Sequence, residues 1–167
     1  MFHLHCTRKL LERIKPVIQD PKQNSNCMGA WYATALFWKP QLALLVNERT
    51  LLPVLMPLAP AASLAQRFPQ ALAQVLNALE VNPVLIQTEL SQMTEVRFAK
   101  TANRKVLGIM NEFTFLIDSY RNRVGEGDLL KLSLRLAHTP CSPLYKTAVF
   151  PDQAVRELFF FRFDSVR

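Results

Sequence analysis

The chain has 167 residues, half of them apolar and a fifth charged, with 20 basic against 13 acidic side chains and a formal charge of +7. That length and composition describe a single globular domain with its own core and exclude a disordered or fibrous chain. The basic balance favours anionic partners, nucleic acid or another polyanion among them, and says nothing by itself about fold.

No basic region followed by an apolar core and a small-residue cleavage site opens the sequence, so no leader is expected. The longest uncharged run, Leu51 to Gln66, holds Pro53, Pro57 and Pro60, which argues against a membrane-spanning helix. The three cysteines, Cys6, Cys27 and Cys141, lack metal-like spacing and suit reduced thiols, so the expected location is the cytoplasm.

In chain order, Phe2, Leu4 and Cys6 alternate with His3 and His5, the period of a half-buried strand. Thr7 is placed to cap a helix through Lys15, stopped by Pro16, and 20–26 is a polar loop. Trp31 to Trp38 reads as a strand, Lys39-Pro40 as a turn, Leu42 to Val46 as the return strand and Asn47 to Arg49 as a second turn. Thr50 to Met56 completes an antiparallel meander, and Pro53 and Pro57 place that strand at an edge.

From Ala61 to Leu79 apolar residues recur at helical spacing, with Pro69 expected to kink or split the helix. Asn82-Pro83 opens a short helix to Leu90, and Thr94 to Ala99 is a strand. Thr101 or Ala102 begins the longest helix, which buries Val106, Met110, Phe113 and Ile117 and runs to about Arg123. Gly125 to Gly127 breaks it, Asp128 caps a helix to Ala137, and Pro151 to Phe161 forms the last one. The expected class is α+β: one domain over 1–167, a small mainly antiparallel sheet with helices packed on one face. The Phe-rich segment 151–167 docks on that domain or on a partner, a second copy in a homo-oligomer being one such partner.

The most distinctive stretch runs from Lys100 to Glu112, where Lys100, Thr101, Asn103, Arg104, Lys105 and Asn111 gather around Gly108. A glycine costs about 0.8–1 kcal/mol in a helix interior relative to alanine, so a backbone or a ligand is expected against Gly108. Cations beside a helix start suit a phosphate or carboxylate. A purely structural alternative has Asn103 and Arg104 tying the helix to the Asn47–Arg49 turn.

Several residues resemble an uncharacterised bacterial family, a domain of unknown function. Cys6-Thr-Arg-Lys-Leu-Leu11 matches an opening Cys-Thr-x-Lys-Leu-Leu, and Trp31 to Phe37 with Asn47-Glu-Arg-Thr50 match a hairpin motif. Lys100 to Asn111 matches Lys-Thr-x-Asn-Arg-x-Val-Leu-Gly-x-Met-Asn. The resemblance spans about Met1 to Pro151 and implies no activity and no catalytic residues.

Other features carry weaker chemistry. His3 and His5 share a strand face without a third ligand and read as solvated, so no metal and no cofactor is expected. Trp31, Tyr32, Phe37 and Trp38 suit core packing better than a stacking platform for bases. The expected function is a small basic binding protein for nucleic acid or another anionic partner. The alternatives are an enzyme of nuclease or phosphotransferase type, using His5 or Glu112 for proton transfer, and a protein-interaction module.

Overall fold

The protein is represented by a computed structural model that describes residues 1–20, 22–124 and 128–165, and of 121–124 and 161–165 the backbone alone. The expected break at Gly125 to Gly127 lies outside the described residues. Strands β1 (Phe2–Cys6), β2 (Trp31–Leu36), β3 (Leu42–Asn47), β4 (Pro53–Pro57) and β5 (Val96–Lys100) form one sheet in the order β4-β3-β2-β1-β5. The β2–β3–β4 meander is antiparallel, as its short turns require. By contrast β1 pairs in parallel with both β2 and β5. The sheet is therefore mixed, which corrects the mainly antiparallel expectation. The reason is connectivity: α1 (Arg8–Ile14) carries the chain from β1 to β2, while α2 (Leu64–Ala78) and α3 (Pro83–Ser91) carry it from β4 across to β5. A helical crossover returns a strand in the parallel sense.

Helices cover both faces, a second correction. Trp31, Ala33, Ala35, Ala43 and Leu45 join one core with residues of α1, α2, α3 and α6 (Pro151–Ser165). Tyr32, Leu36, Leu44 and Val46 join another with Val106, Ile109, Met110, Phe113 and Ile117 of α4 (Arg104–Val124). The apolar run Leu42 to Val46 is what a strand buried on both sides needs, since neither set of alternating side chains meets water. Pro69 does not split α2, which is continuous. Burial of Leu64, Ala65, Phe68, Leu72, Val75 and Leu76 outweighs the lost ladder bond, a loss of about 3 kcal/mol.

Helix α5 (Leu129–Ala137) lies along β4, capped as expected by Asp128, whose carboxylate accepts from the Lys131 N–H at 2.9 Å. Ser133 Oγ accepts from the outward Leu55 N–H at 2.9 Å, and the other outward positions, Pro53 and Pro57, have no N–H. The edge strand so offers no free donor to another chain. Helix α6 buries Val155 and Phe159 on its own domain, while Phe160 is 64% exposed. The side chains of Phe161 and Phe163 lie outside the described residues. Among the described residues no helix is long and apolar enough to cross a membrane.

Candidate functional site

Two polar clusters stand out against this apolar frame. The first is internal. Asn47, fully buried, ends β3 and uses every hydrogen-bonding group it has. Its amide donates to the carbonyls of Met28 and Ala30, and its Oδ1 accepts from Arg49 N, Thr50 N and Thr50 Oγ1. Glu89 of α3, 1% exposed, accepts from Cys27 N at 2.7 Å, Met28 N at 3.1 Å and the Asn26 amide at 2.9 Å. Gly29 at φ +75° lets the chain turn between these anchors. A buried carboxylate is tolerated because three donors replace its water.

The second cluster is the Lys100–Lys105 segment. Helix α4 begins at Arg104, not at Thr101 or Ala102, and Asn103 caps it: its Oδ1 accepts from Lys105 N at 3.0 Å and Val106 N at 3.3 Å. Thr101 therefore precedes the helix. The Asn103 side chain has also taken two of the donors that an anion at the helix start would use. Its amide reaches Glu48 Oε1 at 3.4 Å and its backbone N–H donates to the Tyr32 hydroxyl at 3.2 Å. The expected tie to the Asn47–Arg49 turn is thus real for Asn103. Arg104 takes no part in it: Lys100, Arg104 and Lys105 are exposed and make no ion pair with any described residue.

Gly108 overturns its expectation. It is exposed, and a Cβ added there would have nothing within 4 Å, so neither a backbone nor a cleft wall explains it. Asn111 lies on the same exposed side, about 4.5 Å further along the axis and about 10 Å from Arg104. Glu112 is exposed about 12 Å from Arg104 along that axis, too far to share a reaction centre with it.

His5 joins the second cluster by a route no sequence spacing reveals. Parallel pairing sets His5 opposite Ala99 on β5 and Tyr32 on β2. Its Nδ1–H donates to the Lys100 carbonyl at 2.9 Å, and its ring stacks on Tyr32 with centroids 4.6 Å apart. Burial and the Glu48 carboxylate raise the Tyr32 phenol above its ordinary value, against the Asn103 N–H, which lowers it. His3 departs from expectation: it is 2% exposed, with Nε2 accepting from Lys22 N and Nδ1 bound to the Asn24 side chain. A solvated strand face was expected because alternation alone does not show the 22–24 segment folding over it.

Neighbouring parallel strands β1 and β5 send their chains to opposite faces, β1 into α1 and β5 into α4. In open sheets such a reversal leaves a crevice outside the carboxyl ends of the strands. Here those ends carry Thr7, Lys100 and Thr101. Thr7 stands at the N-cap of α1 as expected, but its hydroxyl makes no cap bond and is engaged instead with Thr34 Oγ1 at 2.9 Å. Burial pushes the Cys6 and Cys141 thiols up to about 12, which disfavours the reactive thiolate, and all three cysteines are buried. A separate cleft between β4, α2 and α5, lined by Met56, Arg67, Gln74 and Asp128, contains none of the Lys100–Lys105 residues.

Residues 3–154 match the family described as a domain of unknown function (DUF6933), and the chain belongs to that family. No curated protein and no solved structure matches it.

Proposed function

We propose that this chain is a small basic intracellular binding protein that engages nucleic acid through the surface around Lys100, Arg104 and Lys105. The observation that carries this reading is that these three cations are exposed and unpaired among the described residues. Cations held for stability are commonly paired or packed, as Arg135 is over the Tyr120 ring and Arg67 against the carbonyls of Pro57, Leu58 and Pro60. The strand-end reversal beside Lys100 and a chain charge of +7 point the same way. Thr101, Asn103 and Asn111 border the surface as polar neighbours, with Asn103 setting the direction of the α4 start.

A salt titration tests the reading. Affinity for short DNA or RNA should fall with salt at a log–log slope near −0.7 to −0.9 per phosphate contact. Arg104→Ala should lower affinity and flatten that slope by about one contact. Lys131→Ala should leave both unchanged, since Lys131 pairs with Asp128 on α5, which lies along the opposite sheet edge. No binding at about 50 mM salt, or equal losses from both substitutions, would overturn the proposal. The rival reading, an enzyme acting on a phosphate-bearing substrate, draws on His5 beside Lys100. Cleavage of the oligonucleotide during the titration would favour it.

A further inference from the structure

The solvent face of α4 carries features that nothing within the chain uses. Gly108, in the helix interior, has open space where a Cβ would stand, and Phe115 is 76% exposed. They are seven residues apart, two turns less about 20°, so they lie on one line about 10 Å from each other. Exposed Arg104, Asn111 and Asp118 repeat at the same spacing along one flank of that line. Exposed Lys105 and Glu112 do so along the other. The face is therefore basic at the start of α4 and acidic further along. Arg104, Lys105 and Glu112 have no opposite charge three or four positions away in the sequence. Neither they nor Asp118 make an ion pair with any described residue.

We infer that this face pairs with the same face of a second copy, the two α4 helices running antiparallel about a two-fold axis near Asn111. Such an axis sets each flank against the same flank of the partner, reversed. Arg104 then meets the partner's Asp118, and Asp118 meets the partner's Arg104. The two Asn111 amides face each other, each a donor and an acceptor. Along the central line Phe115 covers the partner's Gly108, where the missing side chain admits a ring against the helix backbone. A seven-residue recurrence keeps two helices in register at a shallow crossing. Charge complementarity selects this occupant, because a face that changes sign along its length matches its own antiparallel image. The two Glu112 carboxylates approach each other on the far flank, which costs affinity, and Lys105 stays at the rim. One helix per copy is a smaller contact than the roughly 20–30 residues a side of a standard interface. The pair is accordingly weak, with a dissociation constant on the order of 100 µM, and is dissociated at the low-micromolar concentrations of a stability measurement. It goes beyond the nucleic-acid reading, which needs a single copy, and competes with it for Arg104.

Analytical ultracentrifugation of the full chain at low salt, without nucleic acid, tests the pairing. The chain should sediment as a monomer at about 10 µM and shift toward a dimer as its concentration approaches about 1 mM. Arg104→Asp and Asp118→Arg, each alone, set like charges together twice and should weaken association about ten-fold or more. An equimolar mixture of those two variants restores both opposite-charge contacts, so it should form a mixed dimer that neither variant forms with itself. Glu112→Gln should tighten the wild-type pair, and Phe115→Ser should loosen it. All of these positions are exposed, and unchanged circular dichroism should show that the variants fold. A chain that stays monomeric to about 1 mM overturns the inference, gives the face to another occupant and leaves the nucleic-acid reading standing. Association that survives both single charge reversals, or a mixture that fails to pair, overturns the two-fold arrangement and with it the inference.

Discussion

The Asn26–Gly29 and Asn47–Thr50 turns and the Lys100–Lys105 segment are alike in composition and opposite in use. Each breaks an apolar surrounding with a short run of polar residues. In the first, every group of Asn47 and both oxygens of Glu89 find partners inside the molecule. In the second, Asn103 is spent on the cap and on Glu48, while the three cations face solvent with no partner among the described residues. Polarity alone does not mark a site. What marks one is polarity the fold leaves unused.

The sharpest way to break that comparison is to disturb the internal cluster. Glu89→Ala strands two buried backbone N–H groups and removes one of the two acceptors of the Asn26 amide, and should lower stability by about 3 kcal/mol or more. Arg104→Ala, which removes only an exposed side chain, should change it by no more than about 0.5 kcal/mol. Urea midpoints for the two variants check both, and equal losses would mean that the clusters are not different in kind.

Tyr32 joins the two regions, so its removal should be intermediate. Tyr32→Phe leaves the Asn103 N–H without its acceptor and should cost about 1–2 kcal/mol at neutral pH. The folded-state phenol lies above its ordinary value of 10.0, so its contribution is fully present below pH 10 and is lost as pH rises through the folded value. Stability measured from pH 9 upward should therefore fall less steeply in the variant than in the wild type. Parallel slopes would show that Tyr32 is not the titrating link.

Gly108→Ala should have a small effect on stability of the opposite sign to the losses at Glu89 and Tyr32. With open space for a Cβ in the helix interior, it should raise stability by about 0.8–1 kcal/mol. A lower melting temperature would show that something does approach that backbone.

Much of the chain was legible in advance because local chemistry specifies it. Asn82 and Asp128 cap their helices, and Val106, Met110, Phe113 and Ile117 are buried as their spacing requires. The meander follows from its turns, and Pro53 and Pro57 mark the edge strand. Glu89 went unnoticed because a lone glutamate in a short helix has the same local signature whether it meets water or three buried donors. Gly108 misled for a related reason: helix propensity reports a cost but not what stands opposite.

By itself, then, the sequence determined the elements, the caps of α3 and α5, the buried stripe of α4 and the cluster of cations at Lys100, Arg104 and Lys105. Each of these depends on residues within a few positions of one another, where dihedral preference and side-chain period act directly. Only the tertiary structure decided that β1 lies between β2 and β5, that helices cover both faces, and that His5 stands on Tyr32 beside the Lys100 carbonyl. Those contacts join residues separated by 27 and 95 positions, which share no periodicity along the chain and meet only once the strands have chosen their neighbours.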